Sequence, residues 1–233
     1  MIELRNLVKT YRKANEAPVR AINNVSLTIA QGEFVAILGP SGSGKSTLMS
    51  VMGLLDQVDS GEYLLNGQSL GNQSEDALAA IRNRVIGFVF QAYHLLPRTT
   101  AIENVQLPLL YANRKDYQQR SEAALAAVGL SARMNHFASE LSGGQQQRVA
   151  IARAIANEPS IIFADEPTGN LDSVATGEIM DLFRAQNAAG TTVVLITHDL
   201  EVAEQARRII RIRDGAIESD MQVNELTGAA HEL

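Results

Sequence analysis

The period of the hydrophobic pattern changes several times along the chain, and each change marks an element. Residues 1–33 alternate short apolar runs with polar positions, as in Ile2-Glu3-Leu4 and Val25-Ser26-Leu27-Thr28-Ile29. A period of two predicts antiparallel strands. Gln31-Gly32-Glu33 predicts a turn, and Phe34-Val35-Ala36-Ile37-Leu38 is an unbroken apolar run. Such a run suits a strand covered on both faces in a parallel sheet. A Gly-rich loop follows, then a helix from about Ser46 to Leu55. Residues 61–90 read as strands again: Tyr63-Leu64-Leu65, a turn at Asn66-Gly67, and Ile86-Gly87-Phe88-Val89-Phe90.

From about residue 93 to 156 the chain becomes rich in Ala, Gln and Leu. Asp116 to Val128 predicts an amphipathic helix stopped by Gly129, and Gln145 to Ala156 predicts another. Ile161-Ile162-Phe163-Ala164 and Thr192-Val193-Val194-Leu195-Ile196 predict two more covered strands. Residues 208–219 predict a hairpin turning at Asp214-Gly215. The sum is an α/β core with a helical insert at about 93–156 and antiparallel strands at both ends. No linker or repeat divides the 233 residues, which predicts one domain over 1–233.

Composition removes several kinds of chemistry. There is no Cys, so disulfides, thiol nucleophiles and Cys-ligated metals are excluded. The four His (His94, His136, His198, His231) have no metal-ligand spacing. A net charge of −6 and a pI near 5.3 argue against a nucleic-acid partner held by a general basic field, while leaving a local patch open. No apolar stretch approaches the roughly 18–20 residues that span a bilayer, and Met1-Ile2-Glu3-Leu4-Arg5 lacks a secretory h-region. The expectation is a cytoplasmic protein.

The candidate chemistry starts at Gly39-Pro40-Ser41-Gly42-Ser43-Gly44-Lys45-Ser46-Thr47, which fits G-x-x-x-x-G-K-[ST] between a covered strand and a helix. The glycines let the backbone wrap a polyphosphate and aim its N–H groups inward. The helix N-terminus adds partial positive charge. Lys45 is placed to reach the β- and γ-phosphates of ATP, and the Ser46 hydroxyl to ligate Mg²⁺.

Asp165-Glu166 ends the strand Ile161–Ala164. Asp165 is placed to orient Mg²⁺, usually through water, and Glu166 to accept the proton of water attacking the γ-phosphate. A solvated acidic turn before Pro167 is the plainer alternative. His198 closes the Thr192–Ile196 run. A lone His is more often structural, but the carboxyl end of a strand is where α/β sheets bind ligands.

Leu141-Ser142-Gly143-Gly144-Gln145 by itself reads as a Ser-capped helix after a Gly turn. Between the P-loop and Asp165-Glu166 it resembles the signature of ATP-binding-cassette (ABC) ATPases, and the resemblance covers about residues 1–220. It implies a P-loop NTPase (RecA-like) core with an antiparallel β subdomain and an α-helical subdomain bearing the signature. Tyr11 is similar to the aromatic that stacks on adenine. Gln91 resembles the Q-loop glutamine that links the γ-phosphate and Mg²⁺ to a transmembrane partner. Gly169-Asn170-Leu171-Asp172 resembles the D-loop, and His198 the histidine that contacts the γ-phosphate. The family pattern implies a head-to-tail homodimer in the ATP state, with Ser142, Gly143, Gly144 and Gln145 closing over ATP held by the other copy.

Gly87–Gln91 with His94-Leu95-Leu96-Pro97, Glu103-Asn104-Val105 and Leu107-Pro108-Leu109 resemble the lipoprotein-release and macrolide-export cassettes (LolD-like and MacB-like). So do Asp165–Asp172 and the insertion between Tyr11 and Val19. The division-associated FtsE-like cassettes share several of these features. The resemblance implies a permease with a large extracytoplasmic domain, optionally with a periplasmic adaptor. It places the chain on the cytoplasmic face of the inner membrane through that permease. Because the chain stops at Leu233, the permease is expected as a separate polypeptide. A regulatory FtsE-like ATPase and a small-molecule importer cassette are the alternatives; the cargo is not written in this chain.

Overall fold

A computed structural model describes residues 1–12 and 17–224. His231 and most of the insertion between Tyr11 and Val19 lie outside the described residues. The chain resolves into two compact units, Met1–Leu78 with Val194–Leu233, and Ala79–Val193.

The first unit holds an antiparallel sheet of β1 (Ile2–Tyr11), β2 (Val19–Ile29), β4 (Ser60–Leu65) and β5 (Gln68–Ser69), in the order β2-β1-β4-β5. The register pairs Ile2 with Ile29 and Leu4 with Leu27, so the apolar set falls on one buried face, as the alternation predicts. Asn6 and Asn24 take left-handed backbone where that register shifts. The same unit holds the run β10-β9-β3-β8. In it, β3 (Phe34–Leu38) is wholly buried and parallel to β9 (Arg208–Arg213). The β9–β10 hairpin, with β10 at Ala216–Gln222, turns at Asp214 and Gly215, both left-handed as a two-residue hairpin loop requires. The division falls within β8 (Thr192–Thr197), whose last four residues belong here.

α1 (Lys45–Met52) stops three residues earlier than its sequence suggests. Leu54 takes left-handed backbone directly after Gly53, and the chain cannot continue as helix.

In the second unit β6 (Ile86–Phe90) and β7 (Ile161–Asp165) run parallel, from Ile86 opposite Ile161 to Phe90 opposite Asp165. Helices α3 (Ala101–Tyr111), α4 (Tyr117–Ala127), α5 (Gly143–Ile155) and α6 (Ser173–Ala188) belong to the same unit. α3 and α4 pack on α5. Gly87 allows the close approach of β6 to α5, since a Cβ there would stand 2.5 Å from the Ala154 carbonyl oxygen.

Two departures from the sequence reading have physical causes. Residues 61–90 are not all strand, because α2 (Glu75–Val85) occupies their middle. Its Leu78, Ile81 and Val85 recur at helical spacing but are only half-buried, and acids in its first turn with arginines in its last suit the helix dipole. The helix placed at Gln145 begins two residues earlier, at Gly143, because Ser142 caps it.

Candidate nucleotide site

In the first unit β3 runs into the Gly39–Thr47 loop, and the loop into α1. Gly44 is the N-cap, with φ of 101°, and no side chain caps this helix. A Cβ on Gly44 would overlap the Ala21 carbonyl oxygen, so only glycine fits. The Gly215 amide donates to the Ser43 carbonyl at 2.9 Å, and the Gly215 carbonyl accepts from the Asn23 amide at 2.8 Å. The loop is thus wedged between β2 and the β9–β10 turn. Sequence reasoning missed Ala21 and Gly215, which have no chemistry of their own.

Three features of the loop suit an anion. The first amides of an α-helix have no intrahelical acceptor, and α1 offers neither a capping side chain nor an acid in its first turn. Lys45 is buried, its ammonium donating to the Gly39 and Pro40 carbonyls at 2.8 and 2.9 Å. That uses two of its three donors. The Ser43 hydroxyl is buried without a hydrogen-bond partner. A polyphosphate would satisfy all three. Pro40, Ser41, Gly42 and Ser46 are exposed, and Thr47 is half-buried.

Tyr11 ends β1 and is 41% exposed. Its hydroxyl donates to Asp56 Oδ2 at 2.8 Å, and Lys9 Nζ donates to Asp56 Oδ1 at 2.6 Å. The Lys9 ammonium also lies 5.3 Å from the Tyr11 ring centroid. Burial pushes the Asp56 carboxyl up, but the Lys9 and Tyr11 hydrogen bonds together hold it below the usual carboxylate range. Burial, then the bond to Asp56, pushes the Tyr11 phenol up. Lys9 and Asp56 gave no signal in the sequence, because the three groups converge only across the sheet.

His198 is exposed directly after β8, the strand beside β3. The next residue, Asp199, caps α7 (Leu200–Ala203).

In the second unit the β6–β7 register puts Gln91 and Glu166 just past the paired residues Phe90 and Asp165, at one end of the two strands. Glu166 has left-handed backbone, φ 44°, which is uncommon outside glycine. Its carbonyl accepts from the Gly169 amide at 3.1 Å, and the next carbonyl, of Pro167, accepts from the buried Gln147 amide side chain at 2.7 Å. Asn170 faces Gln91, its Nδ2 donating to the Gln91 carbonyl at 3.2 Å. Ser142 and Gln145 form a reciprocal box on α5: the Gln145 amide donates to Ser142 Oγ at 3.3 Å, and the Ser142 amide to Gln145 Oε1 at 3.0 Å. Ser142, Gly143 and Gly144 line an open cleft of about 540 Å³ together with Asn170 and Asp172. The structure therefore brings Ser142–Gly144 and Asn170–Asp172 to one cleft.

A glycine-wrapped loop on an uncapped helix, fed by a covered strand, defines the class: a P-loop NTPase fold. Comparison with known proteins narrows it. The ABC transporter family model matches residues 22–169. The Bacillus subtilis ABC transporter ATP-binding protein YknY is 53% identical over 219 residues, 93% of this chain and 95% of that protein. The macrolide export ATP-binding/permease protein MacB of Bdellovibrio bacteriovorus is 49% identical over 98% of this chain, but the match spans only 35% of that protein. Among solved structures, the ATP-binding cassette MJ0796, a dimer in a post-hydrolysis state with ADP and Pi, superimposes with a TM-score of 0.88. It shares 44% identity over 96% of this chain and 99% of its own. The chain belongs to the ABC transporter family. Among the described residues no helix is long and apolar enough to cross a membrane.

Proposed function

We propose that the chain binds ATP with Mg²⁺ on the Gly39–Thr47 loop and hydrolyses it to drive a membrane permease of the MacB or lipoprotein-release kind. The observation that carries the reading is the unsatisfied loop: an uncapped helix, a lysine held by its own loop carbonyls, and a buried Ser43 hydroxyl without a partner. The loop amides and Lys45 hold the phosphates. Ser46, Gln91 and Asp165 offer the oxygen donors that Mg²⁺ prefers. Mg²⁺ when bound supplies neutralisation of charge on the β- and γ-phosphates. Glu166 takes the proton of the attacking water, and His198 contacts the γ-phosphate. Tyr11 stacks on adenine with the ring face that Lys9 leaves open. We take residues 1–233 as one ATP-binding domain.

The dimeric MJ0796 cassette supports a homodimer in which Ser142, Gly143, Gly144 and Gln145 of one copy reach the phosphates on the other. The MacB relatives, in which the matched part is about a third of an ATP-binding/permease protein, support a permease partner and a place on the cytoplasmic face of the membrane. The exposed Leu96, beside Leu95 in the loop after Gln91, suits the docking of that permease. The test is direct. The purified chain should hydrolyse ATP only with Mg²⁺, and Lys45→Ala should lose both nucleotide binding and hydrolysis. A Lys45→Ala protein with parent ATP affinity would remove the loop from the account.

A further inference from the structure

Arg153, near the end of α5, has no place in the reading above. Its guanidinium is half-buried, and an arginine stays charged in proteins. Burial alone moves its pKa, downward, and no carboxylate among the described residues pairs with it. It donates instead to two backbone carbonyls, of His94 at 2.6 Å and Tyr93 at 2.8 Å.

Those two residues supply the second observation. Tyr93 and His94 are consecutive and both left-handed, with φ of 57° and 48°. Positive φ is uncommon outside glycine, His being more tolerant of it than Tyr, and two such residues in succession point to surroundings that hold them there. Tyr93 also centres a three-residue turn, in which the His94 amide donates to the Ala92 carbonyl at 2.6 Å. Such a turn is rare and strained when its centre has positive φ. The chain is wound up just after Gln91, and the Arg153 cation meets the carbonyls of the wound segment.

The same segment touches α5 at its other end. A Cβ on Gly143 would stand 3.0 Å from the Tyr93 hydroxyl, so that hydroxyl lies against the first residue of the helix. Gly143 and Arg153 are about 15 Å apart along the helix. Gln91, two residues before the wound pair, is meanwhile joined to Asn170.

We propose that Arg153 is a positioning residue: it latches the left-handed Tyr93–His94 pair, keeps Gln91 against Asn170, and makes the Gln91 loop move with the helix that carries Ser142–Gln145. The effect on hydrolysis rests on the role of Gln91 given above. Without the two hydrogen bonds, the pair relaxes to ordinary backbone and the loop leaves α5.

The latch has a signature that a packing role lacks, because glycine adopts the left-handed region without strain. In the full chain, Arg153→Met should lower kcat by about 10- to 100-fold, the scale of a misplaced reacting group, with ATP affinity unchanged. His94→Gly alone should keep the parent rate, and His94→Gly added to Arg153→Met should restore most of it. His94→Val, at an exposed position where folding is not at stake, should slow hydrolysis as Arg153→Met does, because a β-branched residue resists that backbone. A double variant as slow as Arg153→Met, or a His94→Val protein at the parent rate, overturns the latch. Gln91→Ala separates this from the reading it rests on. If Gln91→Ala keeps the parent rate, the role of Gln91 is wrong, whereas the latch fails only on the two results just named.

Discussion

Helix α1 follows a glycine-rich loop and α5 opens on two glycines, and both suit a phosphate at the N-terminus. Their ends are built differently. Gly44 cannot cap α1, so the loop amides, Lys45 and Ser43 are left short of partners. Ser142 and Gln145 satisfy each other on α5, so that end carries a side-chain cap that α1 lacks. A glycine N-cap is weaker than a Ser cap by only about a few tenths of a kcal/mol, so the contrast lies in free donors rather than in helix stability. The difference makes the α1 loop the better suited of the two to a first phosphate contact, and fits the proposal that the α5 end meets the phosphate of another copy.

The largest effect should follow from filling the open end. Gly44→Ala puts a Cβ onto the Ala21 carbonyl in left-handed backbone, which alone costs about 1–2 kcal/mol. ATP affinity should fall by about 100-fold or more in equilibrium binding, since the displaced amides are those that meet the phosphates. Ser142→Ala should leave single-copy ATP affinity unchanged and cost about 1 kcal/mol, a melting shift of about 2–4 °C. If the two changes weaken ATP binding equally, the distinction between the ends collapses.

Much of this contrast is legible in the sequence, and part of it is not. β3, β7 and β8 are covered on both faces, so their apolar runs name them, and Gly39–Thr47 names the loop between strand and helix. Ser142 three residues before Gln145 is a readable capping box. Arg153, Asp56 and Ala21 are different. An arginine on a helix reads as a solvated face, and nothing local says that it meets carbonyls 59 and 60 residues away. α2, by contrast, is legible and overlooked: Leu78, Ile81 and Val85 lie at helical spacing between two strand-like stretches.

A smaller effect is expected at the base. Tyr11→Ala should weaken ATP by about 1–3 kcal/mol, the scale of base–aromatic stacking, and should reduce discrimination among bases. Asp56→Asn should weaken it less, because the ring keeps its face and loses only its anchor. Asp56 also has a pH signature. Its carboxyl is held below the usual range, so the stability it contributes is present above the ordinary Asp pKa of about 4. That contribution is lost as pH falls through the lower folded value. Melting temperatures of parent and Asp56→Asn should therefore differ at neutral pH and converge in acid; a constant gap would remove Asp56 from the pair.

The two helix ends meet in one measurement. Glu166→Gln keeps the shape of the proposed base but cannot take the proton, and hydrolysis should fall by about 10²–10⁴. The phosphates should stay on the α1 loop of each copy and recruit the α5 end of the other. Size-exclusion chromatography of Glu166→Gln should show a dimer with ATP and a monomer with ADP, and adding Ser142→Arg should return the monomer with ATP still bound. A Glu166→Gln protein that hydrolyses ATP at the parent rate, or that stays monomeric with ATP bound, would contradict the account.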